Sequence, residues 1–330
     1  MAGRAKIAII GAGLCGLVLA RRLSGRAHVR VFEKSRGLGG RMSNRRAAPF
    51  AFDHGAQYFS AKGDDFAAFL APFIAEGTVA RWSPRLAQLP GAEPEITRWS
   101  QPRYVAVPGM TALAKALAAG LEIDGGRQIA EIARTGSGWT LIDGEAGREE
   151  GFDWVISTAP AEQTARLLPQ DFADRSALAV ARQQGCYALM LGFEQDPGLD
   201  WDAAQVTEPP LGWIALNHSK PGRDTGCSVL VQSTNDWAEA HLERDQDAVH
   251  QDLLAAFIDL TGVDGRAATY ASLHRWRYAS VATPAGAPFL IDAAQGLAAG
   301  GDWCGAGKVE AAFDSAQALG TRLLATLEQR

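Results

Sequence analysis

Cysteine is scarce in this sequence: Cys15, Cys186, Cys227 and Cys304 are the only four among 330 residues, and they lie far apart. None forms a Cys-x-x-Cys pair or stands at ligand spacing from the six histidines, so a zinc module or a disulfide-stapled secreted scaffold is excluded and no metal is expected. A reducing cytoplasm fits this pattern. Clustered positive charge is missing as well. With 32 Lys and Arg against 37 Asp and Glu, a formal charge of -5 and no basic stripe, the chain lacks the footprint that a phosphate backbone demands, and nucleic acid is excluded as a partner. No run approaches the ~20 apolar residues of a spanning helix, so no membrane partner is expected. Low-complexity tracts and internal repeats are also absent, and 47% of the residues are hydrophobic, enough for one large or two interleaved domains.

What the sequence has in quantity is glycine, 36 residues, some of them in tight groups. The start "MAGRAKIAIIGAGLCGLVLA" superficially resembles a secretory signal, but its glycines have dinucleotide-binding spacing, so it reads as mature fold. The apolar run "KIAII" predicts a strand buried on both faces, and a helix follows over about 14–23. Between them, Gly11 allows the tight turn, Gly13 lets backbone approach a pyrophosphate, and Gly16 permits close packing of helix on strand. The helix start supplies amide donors and a positive dipole to phosphate. A second strand, "VRVFEK", ends at Glu33, about 20 residues beyond the fingerprint, where a carboxylate accepts hydrogen bonds from ribose hydroxyls. In "KSRGLGGRM", Arg36 and Arg41 flank paired glycines, a pattern suited to a second close approach to an anion. Near the other end, "GGDWCGAGKVEAAF" is another glycine-rich turn running into an amphipathic helix.

"GAGLCG", Glu33 and "RGLGGRM" together resemble the flavin-containing amine oxidase superfamily. The resemblance implies FAD, bound without a covalent link, and it explains two glycine-rich helix starts: the adenosine half of a long cofactor meets the first, the ribityl and isoalloxazine half the second. It points to Gly11, Gly13, Leu14, Cys15, Gly16, Glu33, Lys34, Arg36, Gly40, Arg41 and Met42 on one side. Gly55, Ala56, Gln57, Gly301, Asp302, Lys308 and Val309 complete the implied cofactor set. In the family a Gly-Asp segment holds the ribityl chain, which carries over to Gly301 and Asp302; a plain turn or helix cap is the structural alternative for Asp302. Cys304 reads as a small packing residue.

Longer segments, "FDHGAQYFSAK", "VPGMTALAKAL", "WIALNHSKP", "HRWRYA" and "GGDWCGAGKVEAAF", are similar to those of bacterial renalase-type oxidoreductases. That resemblance implies an oxidase that converts isomeric dihydronicotinamide dinucleotides to the normal oxidised cofactor and passes electrons to O2, forming H2O2. The chain departs from that pattern at His218, where arginine is usual, and around "RWRYASVATPAG". Candidate catalytic residues are Gln57, Tyr58, Asn217, His218, Trp276, Arg277 and Tyr278, with His54 reading equally well as a core histidine. Strand alternation over 213–218 would put Asn217 and His218 on opposite faces. Two alternatives stand beside this reading. A small-molecule amine oxidase would use a lysine near the flavin, for which Lys220 and Lys308, both in turns, are candidates; a flavoprotein with structural or sensory FAD would not turn over at all.

Helical patterns at about 63–75, 111–119, 161–168, 236–260 and 309–328 alternate with strand-like runs such as "WVIST", "CYALMLGF", "CSVLVQS" and "ATYASLHRW". This predicts an α/β fold, a Rossmann-like FAD-binding domain with an inserted mixed-sheet substrate domain. The expected FAD-binding domain is discontinuous, 1–54, 101–160 and 276–330; the substrate domain takes 55–100 and 161–275, with the active site expected in the cleft and the protein a monomer or weak homodimer.

Overall fold

The computed structural model describes residues 4–90, 96–136, 138–145, 147–223 and 226–329. The chain divides into two compact units, the first made of Met1–Gly40, Ala114–Gln183 and Val281–Arg330, the second of Arg41–Leu113 and Gln184–Ser280.

The first unit is built on a six-stranded sheet in the order Leu290–Asp292, Leu297–Ala299, Trp154–Ser157, Lys6–Ile10, His28–Glu33, Glu122–Gly125. All neighbours run parallel except the first pair. The apolar run at the N-terminus takes a central place because it has no polar face to keep wet: Ile7, Ala8 and Ile9 have no exposed surface. Burying each isoleucine contributes about 1.5–3 kcal/mol. A three-stranded antiparallel layer, Arg148–Phe152, Gly138–Asp143 and Ile129–Thr135, shares a core with that sheet through Phe32, Trp139, Phe152 and Trp303. Ile129–Thr135 and Gly138–Asp143 pair antiparallel within that layer.

Two helices of this unit pack against each other, Leu14–Leu23 and Lys308–Glu328. Arg22 lies across Gly320, where a Cβ would stand 2.4 Å from its Cδ, and its guanidinium donates to Gln317 Oε1 and Thr321 Oγ1. The two glycine-rich helix starts therefore belong to one helix pair.

The second unit carries another six-stranded sheet, in the order Tyr270–Thr283, Arg182–Phe193, Cys227–Ser233, Leu211–Leu216, Ala203–Val206, Leu86–Leu89. Two sequence expectations change here. The single helix expected over 236–260 is two, Asn235–His241 and Gln246–Thr261, because Asp245 caps a new start by accepting from the amides of Asp247 and Ala248. The strand expected to run through His218 stops at Leu216, and Asn217–Ser219 form a 3-10 turn in which Ser219 Oγ donates to the Leu216 carbonyl. Alternation therefore does not decide where Asn217 and His218 point. Among the described residues no helix is long and apolar enough to cross a membrane, and no cluster of His, Cys, Asp and Glu has metal-site geometry. All four cysteines are free.

Candidate functional site: a glycine cradle and a buried polar core

In the first unit the two early glycine motifs meet. Gly39 donates to the Ala12 carbonyl and bridges to Gly13, and a Cβ on Gly40 would stand 3.5 Å from Gly13 Cα. Gly11 holds φ at +111°, a backbone that side chains rarely adopt. A Cβ on Gly16 would stand 2.0 Å from the Gly11 carbonyl oxygen, so helix and turn touch there without room for any side chain. Gly13 is the opposite case: nothing lies within 4 Å of where its Cβ would be. Glu33, nearly buried, is aimed at the turn, with Oε2 accepting from Ala12 N at 2.8 Å and Oε1 from Ser35 N at 2.8 Å. Each oxygen keeps lone pairs for a hydroxyl partner. Lys34 and Arg36 are exposed beside it.

One residue of this cradle escaped the sequence reading. Thr158, just past the strand Trp154–Ser157, donates to the Gly11 carbonyl at 2.9 Å and fixes the turn from the side; only its place after a buried strand signals it.

The C-terminal motif completes the unit. Gly301 donates to Ser315 Oγ, and Asp302, buried, opens a 3-10 turn before Gly307 and Lys308. Lys308, exposed, is the only non-glycine with positive φ among the described residues, at 77°, and it begins the helix that Val309 continues. Such a conformation costs of order 1–3 kcal/mol and concentrates at functional sites. Neither helix start, at Leu14 or at Lys308, has a side-chain cap. A helix start whose cap residue has no side chain is the kind of place where an anion can meet backbone amides. Leu14, Cys15 and Cys304 are buried around them, and burial drives the thiol of Cys15 up and that of Cys304 up to about 12. The open space at Gly13, the carboxylate at Glu33 and two uncapped helix starts fit a dinucleotide such as FAD.

The second unit assembles a different kind of site. Asp53, without exposed surface, gathers Lys220 Nζ at 3.3 Å and Arg223 Nη2 at 2.6 Å on Oδ2, and Met110 N and Asn44 Nδ2, both at 3.0 Å, on Oδ1. Burial works against its ionised form, but Lys220 and Arg223 outweigh it and hold the carboxyl below its usual range. The Lys220 ammonium spends its three protons on Asp53, Gln57 Oε1 at 3.2 Å and Asn217 Oδ1 at 3.1 Å; burial pulls its pKa down to about 8. Asn217 also donates to the Ala51 carbonyl, and Gln57 Nε2 to the carbonyls of Asp53 and Gly55. The amides of Gln57 and Asn217 therefore each have both oxygen and nitrogen engaged inside the protein.

Beside that core the Arg41 carbonyl accepts from Ala56 N, and a Cβ on Gly55 would lie 2.0 Å from the Arg41 oxygen. Met42 is buried alongside. Strand alternation puts His274 and Trp276 against His54: Trp276 stacks on it at 5.3 Å and donates to its carbonyl, and His274 meets it edge-on at 4.9 Å. Burial, then the neighbouring charge of Arg45, lowers His274 to about 4; burial, His274 and Arg45 lower His54 likewise to about 4. Arg275 and Arg277 turn the other way, to the Leu242 carbonyl and the Glu243 carboxylate. Half-buried Tyr278 follows on the Trp276 face by the same alternation. His218 accepts from Ser228 N through Nδ1 and approaches Asp196 at 3.9 Å, apart from the Lys220 core. The sequence reading gives no role to Asp53, inside the segment "FDHGAQYFSAK", or to Arg223, because Met110, Lys220 and Arg223 meet Asp53 across 57, 167 and 170 positions.

Two family models match the chain. A model of NAD(P)-binding Rossmann-like domains matches residues 9–73, and the model of flavin containing amine oxidoreductases matches residues 93–319, well over half the chain. The chain belongs to the flavin containing amine oxidoreductases. It is thus a flavin-dependent oxidoreductase. Among curated proteins, 4,4'-diapophytoene desaturase of Staphylococcus aureus is 47% identical over 51 residues, 15% of this chain and only 10% of the desaturase. The chain shares the fold of cyclohexylamine oxidase from Brevibacterium oxydans, with a TM-score of 0.74, 13% identity and 99% of each chain covered. A putrescine oxidase variant redesigned in cofactor binding superposes with a TM-score of 0.68 at 13% identity, covering 97% of this chain and 99% of the other.

Proposed function

We propose that this oxidoreductase is a renalase-type FAD oxidase that takes a hydride from dihydronicotinamide dinucleotides reduced beside the ring nitrogen and returns NAD(P)+, with O2 accepting the electrons and leaving as H2O2. Bound without a covalent link, FAD supplies the two-electron acceptor. In this reading the first unit does the holding: Gly13 admits the pyrophosphate, Glu33 takes the ribose, and Gly301, Asp302 and the helix start at Lys308 serve the far half of the cofactor. Within the second unit, Trp276 and Tyr278 serve as aromatic walls for a planar ring. The family's discontinuous FAD-binding domain and inserted substrate domain are part of the same proposal, as is a cytoplasmic monomer or weak homodimer.

One observation carries the choice of substrate. The groups that would serve as a base are committed or weak: Lys220 holds its proton among three acceptors, and His54 and His274, lowered to about 4, bind a proton only below about pH 4. An alkylammonium must lose a proton before it can give up a hydride; a dihydropyridine needs only alignment and the exclusion of water. The arrangement suits the second. The buried, protonated thiols of Cys15 and Cys304 likewise favour a flavin held without a covalent bond.

The test is anaerobic mixing of purified, FAD-loaded protein with the 2- and 6-dihydro isomers, with ordinary NADH and with cyclohexylamine, following the oxidised-flavin absorbance band. Bleaching by the isomers alone is expected. Bleaching by the amine and not by the isomers would replace this reading with amine oxidation, and an unreactive flavin would leave a structural or sensory role.

A further inference from the structure

Four aromatic side chains of the second unit converge from distant parts of the chain. The Tyr58 ring lies 4.5 Å from Trp99, 5.7 Å from Trp213 and 6.3 Å from Trp82, and Trp99 and Trp213 are near-parallel, 6° apart, with centroids 6.2 Å from each other. A hydrophobic cluster built only for stability would be shut and free of charge. This one is neither: Tyr58, Trp99 and Trp213 keep part of their surface exposed, and two cations sit on its rings. The Arg103 guanidinium lies 5.5 Å from the Trp99 centroid and 5.9 Å from that of Tyr58, and Lys220 Nζ lies 5.3 Å from that of Trp82.

The two cations differ in what they have left to give. Lys220 is filled by Asp53, Gln57 and Asn217. Arg103 has long contacts to the carbonyls of Gln101 and Pro102, at 3.4 and 3.3 Å, and leans on the Tyr58 hydroxyl, but no carboxylate pairs with it among the described residues. A half-buried guanidinium on aromatic faces, with no counter-ion among the described residues, is an anion receptor with most of its fork unused. The indole N–H groups of Trp82 and Trp213 are buried without an acceptor, two further donors in the same cluster that an anionic oxygen would satisfy.

We propose that Tyr58, Trp82, Trp99 and Trp213 form a ring-binding surface on which Arg103 sets the specificity: it accepts a planar, uncharged heteroaromatic ring joined to a phosphate and rejects an alkylammonium. Three of the four rings already carry a cation, Arg103 on Tyr58 and Trp99 and Lys220 on Trp82, so a second cation meets like charge beside them where an amine-binding aromatic cage would offer attraction. A dihydronicotinamide nucleotide is neutral in the ring and anionic at the phosphate. Its oxidation product gains a ring cation, and the same two charges then favour its release. This inference names the ligand surface of the proposed function and rests on that reading for its physiological substrate, but its test needs no turnover.

The experiment is anaerobic calorimetric titration of the FAD-loaded full chain with three probes: reduced nicotinamide mononucleotide, reduced nicotinamide riboside, which lacks the phosphate, and benzylammonium. The mononucleotide is expected to bind at least about 10-fold more tightly than the riboside, with benzylammonium weaker than both. Arg103→Met should bring the ratio of the first two below about 3-fold while leaving riboside binding unchanged; Arg103→Lys should keep most of the preference; Trp99→Ala should weaken both nucleosides together. Arg85→Met, which removes an exposed partner of Asp202, is the control expected to change nothing. Equal binding of mononucleotide and riboside by the unmodified protein, benzylammonium binding as tightly as the mononucleotide, or an Arg103→Met variant that keeps the preference would each overturn the proposal. If the isomers fail to bleach the flavin while the phosphate preference and its loss in Arg103→Met persist, the substrate reading falls and the anion-selective surface stands.

Discussion

The glycine cradle of the first unit and the Asp53–Lys220 core of the second solve opposite problems. The cradle removes side chains so that backbone reaches outward: open space at Gly13, a bare contact at Gly16, uncapped helix starts. The core packs charged side chains inward, where Asp53, Lys220 and Arg223 satisfy one another and only the Arg223 Nε is left without an acceptor among the described residues. The first is prepared for a partner that is not protein. The second is complete in itself, and its contribution is to hold the segments around Asp53, Gln57, Met110 and Asn217 in one arrangement.

The largest expected effect tests that contrast directly. Asp53→Asn removes the single carboxylate that balances two fully buried cations, which should cost about 3–5 kcal/mol in urea unfolding, since a broken buried pair leaves an uncompensated charge. A cost below about 1 kcal/mol would mean that the core tolerates net charge and is not the locked structure described above. Replacing Glu33 by Gln, by comparison, removes a carboxylate that serves a turn and a ligand, so stability should change less than the retention of FAD.

Within the cradle, neighbouring glycines should part ways. Gly16→Val forces a branched side chain against the Gly11 carbonyl, where a Cβ already stands at 2.0 Å, and overpacking against backbone should cost about 3 kcal/mol. Gly13→Val meets no protein atom within 4 Å, so the fold should persist while the side chain fills the space that a pyrophosphate needs. The first variant should express poorly or melt early; the second should purify folded and colourless. A folded Gly13→Val protein carrying equimolar FAD would break the assignment of that space to the cofactor.

The same contrast explains what could be read before the structure. The cradle is legible because its parts are local: strand, glycine turn, helix and Glu33 follow one another, so spacing alone carries the geometry. The meeting of Gly39 with Gly13 needs only one more short step of chain. The core is illegible for the converse reason. Asp53 and Lys220 lie in segments that draw notice and Lys220 is a candidate in its own right, but nothing in sequence pairs them with each other or with Arg223, since they meet across 167 and 170 positions. Gln57 and Asn217 stood out in sequence as polar residues among apolar ones, but a pattern does not say whether an amide faces a ligand or a buried ammonium. Tyr58 stood out too, whereas Trp82, Trp99 and Arg103, its partners, lie in segments without a motif.

A smaller effect sharpens the comparison through pH. His54 and His274 fall from the usual 6.5 to about 4, chiefly through burial, so the folded protein stays unprotonated where the unfolded chain binds protons. Their contribution to stability is complete above pH 6.5 and is lost as pH falls toward 4, with a slope of between one and two protons because His274 is partly exposed. Unfolding free energy measured between pH 6.5 and 4.5 should decline accordingly, and His54→Gln should flatten the decline. The first unit offers no such histidine pair, so a pH-sensitive loss of structure should begin around His54 and spare the cradle, visible as hydrogen exchange that rises first in residues 43–58.

The least effect is expected from the charge that looked most functional in sequence. Arg277 sits in the dense segment "HRWRYA", yet the structure turns it away from Trp276 to Glu243, an exposed pair. Exposed pairs trade a small Coulomb gain against side-chain entropy and salt screening. Arg277→Met should therefore leave the urea midpoint, FAD retention and the phosphate preference all unchanged, in low salt as in high. A loss of phosphate preference in Arg277→Met as large as that in Arg103→Met would move the anion site from the aromatic cluster to the opposite face of the strand, because alternation allows only one of Trp276 and Arg277 to share a face with His54.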